Sequence, residues 1–148
     1  AILDLGEERL LMTNNVHLTI TEKDEKIDLF SETINFDMRN KNFRSKNQVQ
    51  MKSTSFKLNS NGFDLFQNLN GVNELIFSKA AFEENNASKN SFYGEADLII
   101  YKSPSDTFTL KGSAEIKFES TLISAEEIEF NFKTKKIISS KRSKIIKS

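Results

Sequence analysis

Apolar and polar residues alternate along most of this 148-residue chain. Val16, Leu18 and Ile20 fall on one side of an extended segment while His17 and Thr19 fall on the other, and Ile128, Phe130 and Phe132 alternate in the same way with Glu129, Asn131 and Lys133. A period of two predicts strands. Thirteen phenylalanines among abundant Ile, Thr, Ser and Asn agree with that, and sparse alanine disfavours helices. Turn residues gather between the runs, at 23–25, 40–42, 59–62, 68–71, 85–89, 103–106 and 134–136. Short strands at this spacing predict an antiparallel sandwich or roll. The best helical stretch is Ala80 to Glu84, extended to Ser88, where a loop is an equal reading.

The alternating pattern repeats. Ile34, Phe36 and Ser45 match Ile128, Phe130 and Ser139 at one shift, and Val16 and Leu18 match Ala114 and Ile116 at a slightly larger one, so the second copy has a shorter loop. A looser copy runs from Ala96 to Tyr101, before the only proline, and continues at Phe108 to Leu110 and Gly112. A further variant includes Phe56, Leu58, Gly62, Phe63, Leu65 and, after Gly71, Leu75 to Phe77. Recurring units of this kind bury one face only by stacking on each other, which predicts a scaffold.

Length suits one domain over residues 1–148, with a basic tail at about 141–148. No apolar run approaches the roughly 20 residues of a helical membrane span. The chain has no cysteine, which removes disulfides, thiolate ligands and cysteine nucleophiles together. Its 21 basic and 21 acidic residues cancel, so no global field steers it to nucleic acid, although no acid follows Glu129. His17, the single histidine, lies on the polar side of its strand and reads as a solvated residue. The pairs Glu83–Glu84 and Glu126–Glu127 point to opposite strand faces or lie on a loop, so they do not form an acid and base pair. The five glycines are isolated, which leaves no phosphate loop or dinucleotide fingerprint, and no metal or cofactor site is predicted.

Chemistry therefore rests on apolar surface. Val16, Leu18, Ile34, Phe36, Met38, Val49, Met51, Phe56, Leu58, Leu98, Ile100, Ile116, Phe118, Ile128, Phe130 and Phe132 are read as pointing inward. One reading is a solid core, in a structural or adhesive domain that assembles through its sheet edges and binds no lipid. The other is a roll with splayed sheets that leaves an apolar slot for acyl chains.

The recurring small polar residue, Val, x, Leu, then Ile, x, Phe, Asp and a polar turn resembles the OstA-like family, whose members include the periplasmic proteins LptA and LptC of lipopolysaccharide export and the amino-terminal half of LptD. The likeness is carried by Asn15, Val16, Leu18, Thr19, Ile34, Phe36 and Asp37, by Gly62 to Leu65, by Ala96 to Leu98, Ile100 and Tyr101, and by Gly112, Ala114, Ile116, Ala125, Glu126, Ile128 and Phe130. It spans about 12–140, with Asn15 and Ser113 standing where the pattern expects glycine. The resemblance implies an open β jelly roll that catalyses nothing and holds lipopolysaccharide or a related glycolipid between its sheets. It further implies a periplasmic location, either free or held at the inner membrane by a segment outside this chain. Like domains would join edge to edge in a bridge to the outer membrane, with head-to-tail self-association as one form of it. The corresponding partner edges are Arg9, Leu11 and Thr13 on one side and Ile137 and Ser139 on the other.

Overall fold

The structure, a computed structural model, describes residues 2–22, 25–67, 73–85, 91–103, 105–139 and 143–147. Its strands are β1 (Ile2–Asp4), β2 (Arg9–Glu22), β3 (Glu25–Asp37), β4 (Asn42–Ser45), β5 (Val49–Lys52), β6 (Phe56–Ser60), β7 (Phe63–Gln67), β8 (Asn73–Glu84), β9 (Phe92–Ser103), β10 (Thr107–Phe118), β11 (Thr121–Asn131), β12 (Lys136–Ser139) and β13 (Lys144–Lys147). Every pairing is antiparallel, and no helix occurs among the described residues. Ala80 to Glu84, the expected helical stretch, forms the end of β8, and 86–88 lie outside the described residues. Six strands are also longer than the short pieces the repeats suggested, because turn-like residues inside them bend the chain without ending the ladder.

Those bends divide the continuous sheet into two halves. The β2–β3 register breaks between Thr13 and Val16, and the β10–β11 register breaks between Lys111 and Ala114, 98 positions later. Asn14 and Asn15 (φ 68° and 59°) fill the first break, and Gly112 and Ser113 (φ 81° and 46°) fill the second. On β8, Lys79 (φ 46°) lies between the Ser78–Leu98 and Ala80–Ala96 pairs, where the β8–β9 register runs on unbroken, and on its other side β9 shifts by one residue against β10 between the Lys111–Leu98 and Glu115–Glu95 pairs. Bulges of this type kink a strand and sharpen its twist, so each long strand passes from one layer into the other. The short strands serve a single layer: β3 pairs with β4 near its end and with β5 near its start, while β8 takes β7 and β6 in turn.

A bulge also changes which residues face inward. On β9, Phe92, Gly94 and Ala96 are buried, Asp97 and Leu98 are both exposed, and Ile99 and Tyr101 are buried. The inward assignment of Leu98 and Ile100 is thereby corrected. Leu98 is 37% exposed and Ile100 lies half-buried on the outer face, because the inward alternation resets between Ala96 and Ile99, beside the left-handed Lys79 and at the one-residue shift of β9 against β10, and turns Ile99 and Tyr101 inward instead.

Phenylalanine rings join the two layers. Phe56 on β6 meets Phe108 and Phe132 edge-on, with centroids 5.1 and 4.8 Å away, and Phe82 stacks on Phe130 at 5.7 Å. Such pairs contribute about 0.5–1.5 kcal/mol each beyond their buried area. Buried hydroxyls are satisfied beside them: the Ser31 and Ser45 Oγ atoms lie 3.0 Å apart, and Ser60 Oγ donates to the Gly62 carbonyl.

Candidate functional site

The apolar interior is closed by rings at one end and half-open along β2. Past its bulge, β2 pairs only with β3 among the described residues, so its inward side chains have neighbours on one side. Val16, Leu18 and Ile20 are accordingly half-buried, whereas Leu29 and Met51, further into the sheet, are fully buried. A second apolar lip comes from the other end of the roll, where Phe118, Ile123 and Ile137 are half-buried. Ile145 lies opposite Ile123 on the inward side yet is 60% exposed, since β13 pairs with β11 alone among the described residues.

Most residues expected to face inward do so. Ile34, Val49, Met51, Phe56, Leu58, Ile116, Ile128, Phe130 and Phe132 belong to one buried cluster, against which Val16, Leu18 and Phe118 pack. Phe36 is half-buried and stacks on Phe43 at 4.4 Å, and Met38, also half-buried, leaves the strand at a turn. Among the buried residues absent from the expected set, Ile99 and Leu110 sit beside register shifts that hide their phase.

The edges differ from expectation on one side. Asp4 pairs with Arg9 and Ile2 with Leu11, so β1 covers the edge proposed at Arg9 and Leu11, and only Thr13 lies beyond its register. The edge is closed there because the polar turn 5–8 folds the first residues back, with Glu7 N donating to Asp4 Oδ1. Ile137 and Ser139 lie on β12, which pairs with β11 alone among the described residues. The basic tail contributes a strand as well: Lys144–Lys147 pairs with Thr121–Ser124 as β13. An Ile-Ile pair flanked by lysines was the available signal for that strand.

Polar side chains outside the roll form small closed networks. His17 Nε2 lies 2.8 Å from Asp28 Oδ1, Thr19 donates to the same oxygen at 2.9 Å, and the imidazole stacks on Phe30 at 4.4 Å. The His17 and Thr19 hydrogen bonds, in that order, hold the Asp28 carboxyl below its usual range. Asp37 is lowered likewise by Asn40, through its backbone and its side chain. Arg44 is held above its usual value by Asp64, 2.5 Å away. No cluster of three potential metal ligands occurs among the described residues.

Two comparisons match this architecture. Ten chains of solved structures are similar, among them LptH of Pseudomonas aeruginosa, described as the LptA homologous periplasmic component of the conserved lipopolysaccharide transport device. That likeness has a TM-score of 0.72 at 16% identity and covers 82% of this chain and 94% of the other, which establishes the shared fold. No curated protein sequence matches the chain. Residues 28–136, from the start of the β3 alternation to the start of β12, match the family model for LptA and the LptD N-terminal domain, so the chain belongs to that family of lipopolysaccharide transport proteins.

Proposed function

We propose that this protein is a non-enzymatic periplasmic component of lipopolysaccharide transport, receiving the acyl chains of lipopolysaccharide or a related glycolipid in the interior that opens along β2. Family membership supports the transport role and speaks against a solid adhesive domain. The observation that carries the lipid reading is the half-buried lip of Val16, Leu18 and Ile20 beside the fully buried Leu29 and Met51. Apolar side chains at such an edge lose roughly half their possible burial, and an acyl chain laid against them recovers about 25 cal/mol for each Å² covered. The outer edge of β12, with Ile137 and Ser139, and the open edge of β2 past its bulge are the strands offered to neighbouring Lpt-type domains, and head-to-tail copies of this chain are one such arrangement. A location in the periplasm follows from that role, and any attachment to the inner membrane would come from a segment outside this chain.

Displacement of an apolar fluorescent probe by lipopolysaccharide tests the reading. Leu18→Glu sits at the rim where its carboxylate can reach water, so the variant should melt cooperatively and lose displacement. A folded Leu18→Glu protein that binds lipopolysaccharide as the parent does would remove the β2 lip from the site.

A further inference from the structure

The outward face of the second layer carries a row of side chains that the interior does not use. Phe30, Gln50, Asn59 and Ala81 stand directly opposite one another on β3, β5, β6 and β8. Three inter-strand steps of about 4.8 Å make that row roughly 15 Å long. A hollow of about 620 Å³ lies over it, and Gln48, Asn61 and Lys79 complete its walls. The side-chain amides of Gln48, Gln50, Asn59 and Asn61 make no hydrogen bond within the protein among the described residues, so four donor and acceptor pairs face one space unspent. Phe30 supplies an apolar face at one end, fixed from outside by the His17 ring and approached by Lys52 Nζ at 5.5 Å from its centroid. Ala81 keeps the floor low. Lys79 is the basic residue of the hollow's wall, with no carboxylate within ion-pair distance among the described residues, and Lys52 and Lys57, one row away, stand opposite Asp28 and Glu83.

We infer that this hollow binds an anionic oligosaccharide, the phosphorylated sugar part of a glycolipid. Sugars present hydroxyls that both donate and accept, which suits primary amides, and their C–H faces pack on aromatic rings. A negative group on the sugar would pair with Lys79. The site is distinct from the acyl interior, being on the opposite face of β3, β5 and β6, and its assignment to a glycolipid rests on the transport reading above. Gln50 and Asn59 are positioned by the ladder itself, so the amide spacing is set before ligand arrives.

Deacylated, phosphorylated oligosaccharide from lipopolysaccharide is the probe, since it has no acyl chain to enter the interior. Titrated into the ¹⁵N-labelled chain at about 0.15 M salt, it should shift the side-chain amide signals of Gln48, Gln50, Asn59 and Asn61. Gln50→Ala combined with Asn59→Ala should weaken that binding tenfold or more while leaving displacement of an apolar probe by intact lipopolysaccharide unchanged. Absence of amide shifts overturns the inference, as do shifts reproduced by inorganic phosphate alone. Saccharide failure with normal displacement by intact lipopolysaccharide sinks this site only, whereas failed displacement with intact amide shifts sinks the interior reading only.

Discussion

Gly94 on β9 lies directly opposite Phe82 on β8, and the buried Phe82 ring occupies the space where a side chain at position 94 would begin. A Cβ there would approach the ring atoms closer than 3.0 Å. Phe82 in turn touches Phe56, Phe108 and Phe130, so it cannot swing aside without disturbing the contact between the layers. Gly94→Ala should therefore destabilise the fold by about 1–3 kcal/mol, the usual range for overpacking a tight core. Adding Phe82→Leu should recover part of the loss. Denaturant unfolding of both variants checks it, and strictly additive losses would separate Gly94 from Phe82.

Ser113 is a left-handed residue without the chemistry for it. A non-glycine residue in that region costs roughly 1–2 kcal/mol, while glycine loses about 0.5–1 kcal/mol of unfolded-state freedom, so Ser113→Gly should stabilise the protein by about 0.5–1 kcal/mol. Asn15 occupies the equivalent bulge with φ 59° against 46° for Ser113, and asparagine tolerates that conformation, so Asn15→Gly should change little. Equal effects of the two substitutions on thermal unfolding would contradict this account. Gly112 is held at φ 81° beside the Asp97 side chain, and Gly112→Ala should lose stability for both reasons.

The same bulges set how far the fold is legible in the sequence. Alternation alone assigns Ile34, Ile128 and Phe130 to the interior, and the repeat aligns Val16 with Ala114 because both breaks set two residues against one at the same point of the copy. The change of phase on β9 has only the left-handed Lys79 and a shift against β10 beside it, with no glycine or asparagine between Ala96 and Ile99 to mark it, so Leu98 and Ile100 are read on the wrong face. A one-residue step inverts every later side chain. β1 and β13 are too short to show a period, and their pairing to Leu11 and Ile123 depends on contacts distant in sequence. The outward hollow is hidden for the same reason: Phe30, Gln50, Asn59 and Ala81 come together only through the registers of three successive pairings.

Asp28 should titrate below its ordinary value of 3.8 because the His17 and Thr19 hydrogen bonds favour its charged form. Its folded value is the depressed one, so the folded state binds fewer protons between the two values. The stabilisation is then complete above the ordinary value and is lost as pH falls through the folded value. An NMR titration of the Asp28 carboxyl carbon should give a midpoint under 3.8, moving up in the His17→Ala protein. A midpoint unaffected by His17→Ala would mean that the imidazole contact does not persist in solution.

Deleting β13 should convert a guarded edge into an adhesive one. β13 pairs with β11 over Thr121–Ser124, and its own side chains are exposed, with Ile145 60% and Ile146 43% accessible. It therefore brings little buried area to the roll, and its removal should cost little stability. Removal does uncover the N–H and C=O groups of Thr121 to Ser124 beside the half-buried Ile123, and it takes away Lys144 and Lys147, charges of the kind that keep edge strands apart. A chain ending at Ser143 should show a sedimentation coefficient that rises with concentration more steeply than that of the full chain. Because unlike edges joined head to tail do not close, the rise should continue without a plateau at a dimer. Identical sedimentation of the two chains across the concentration range would mean that β13 does not guard this edge and that association, where it occurs, runs through β12 or β2.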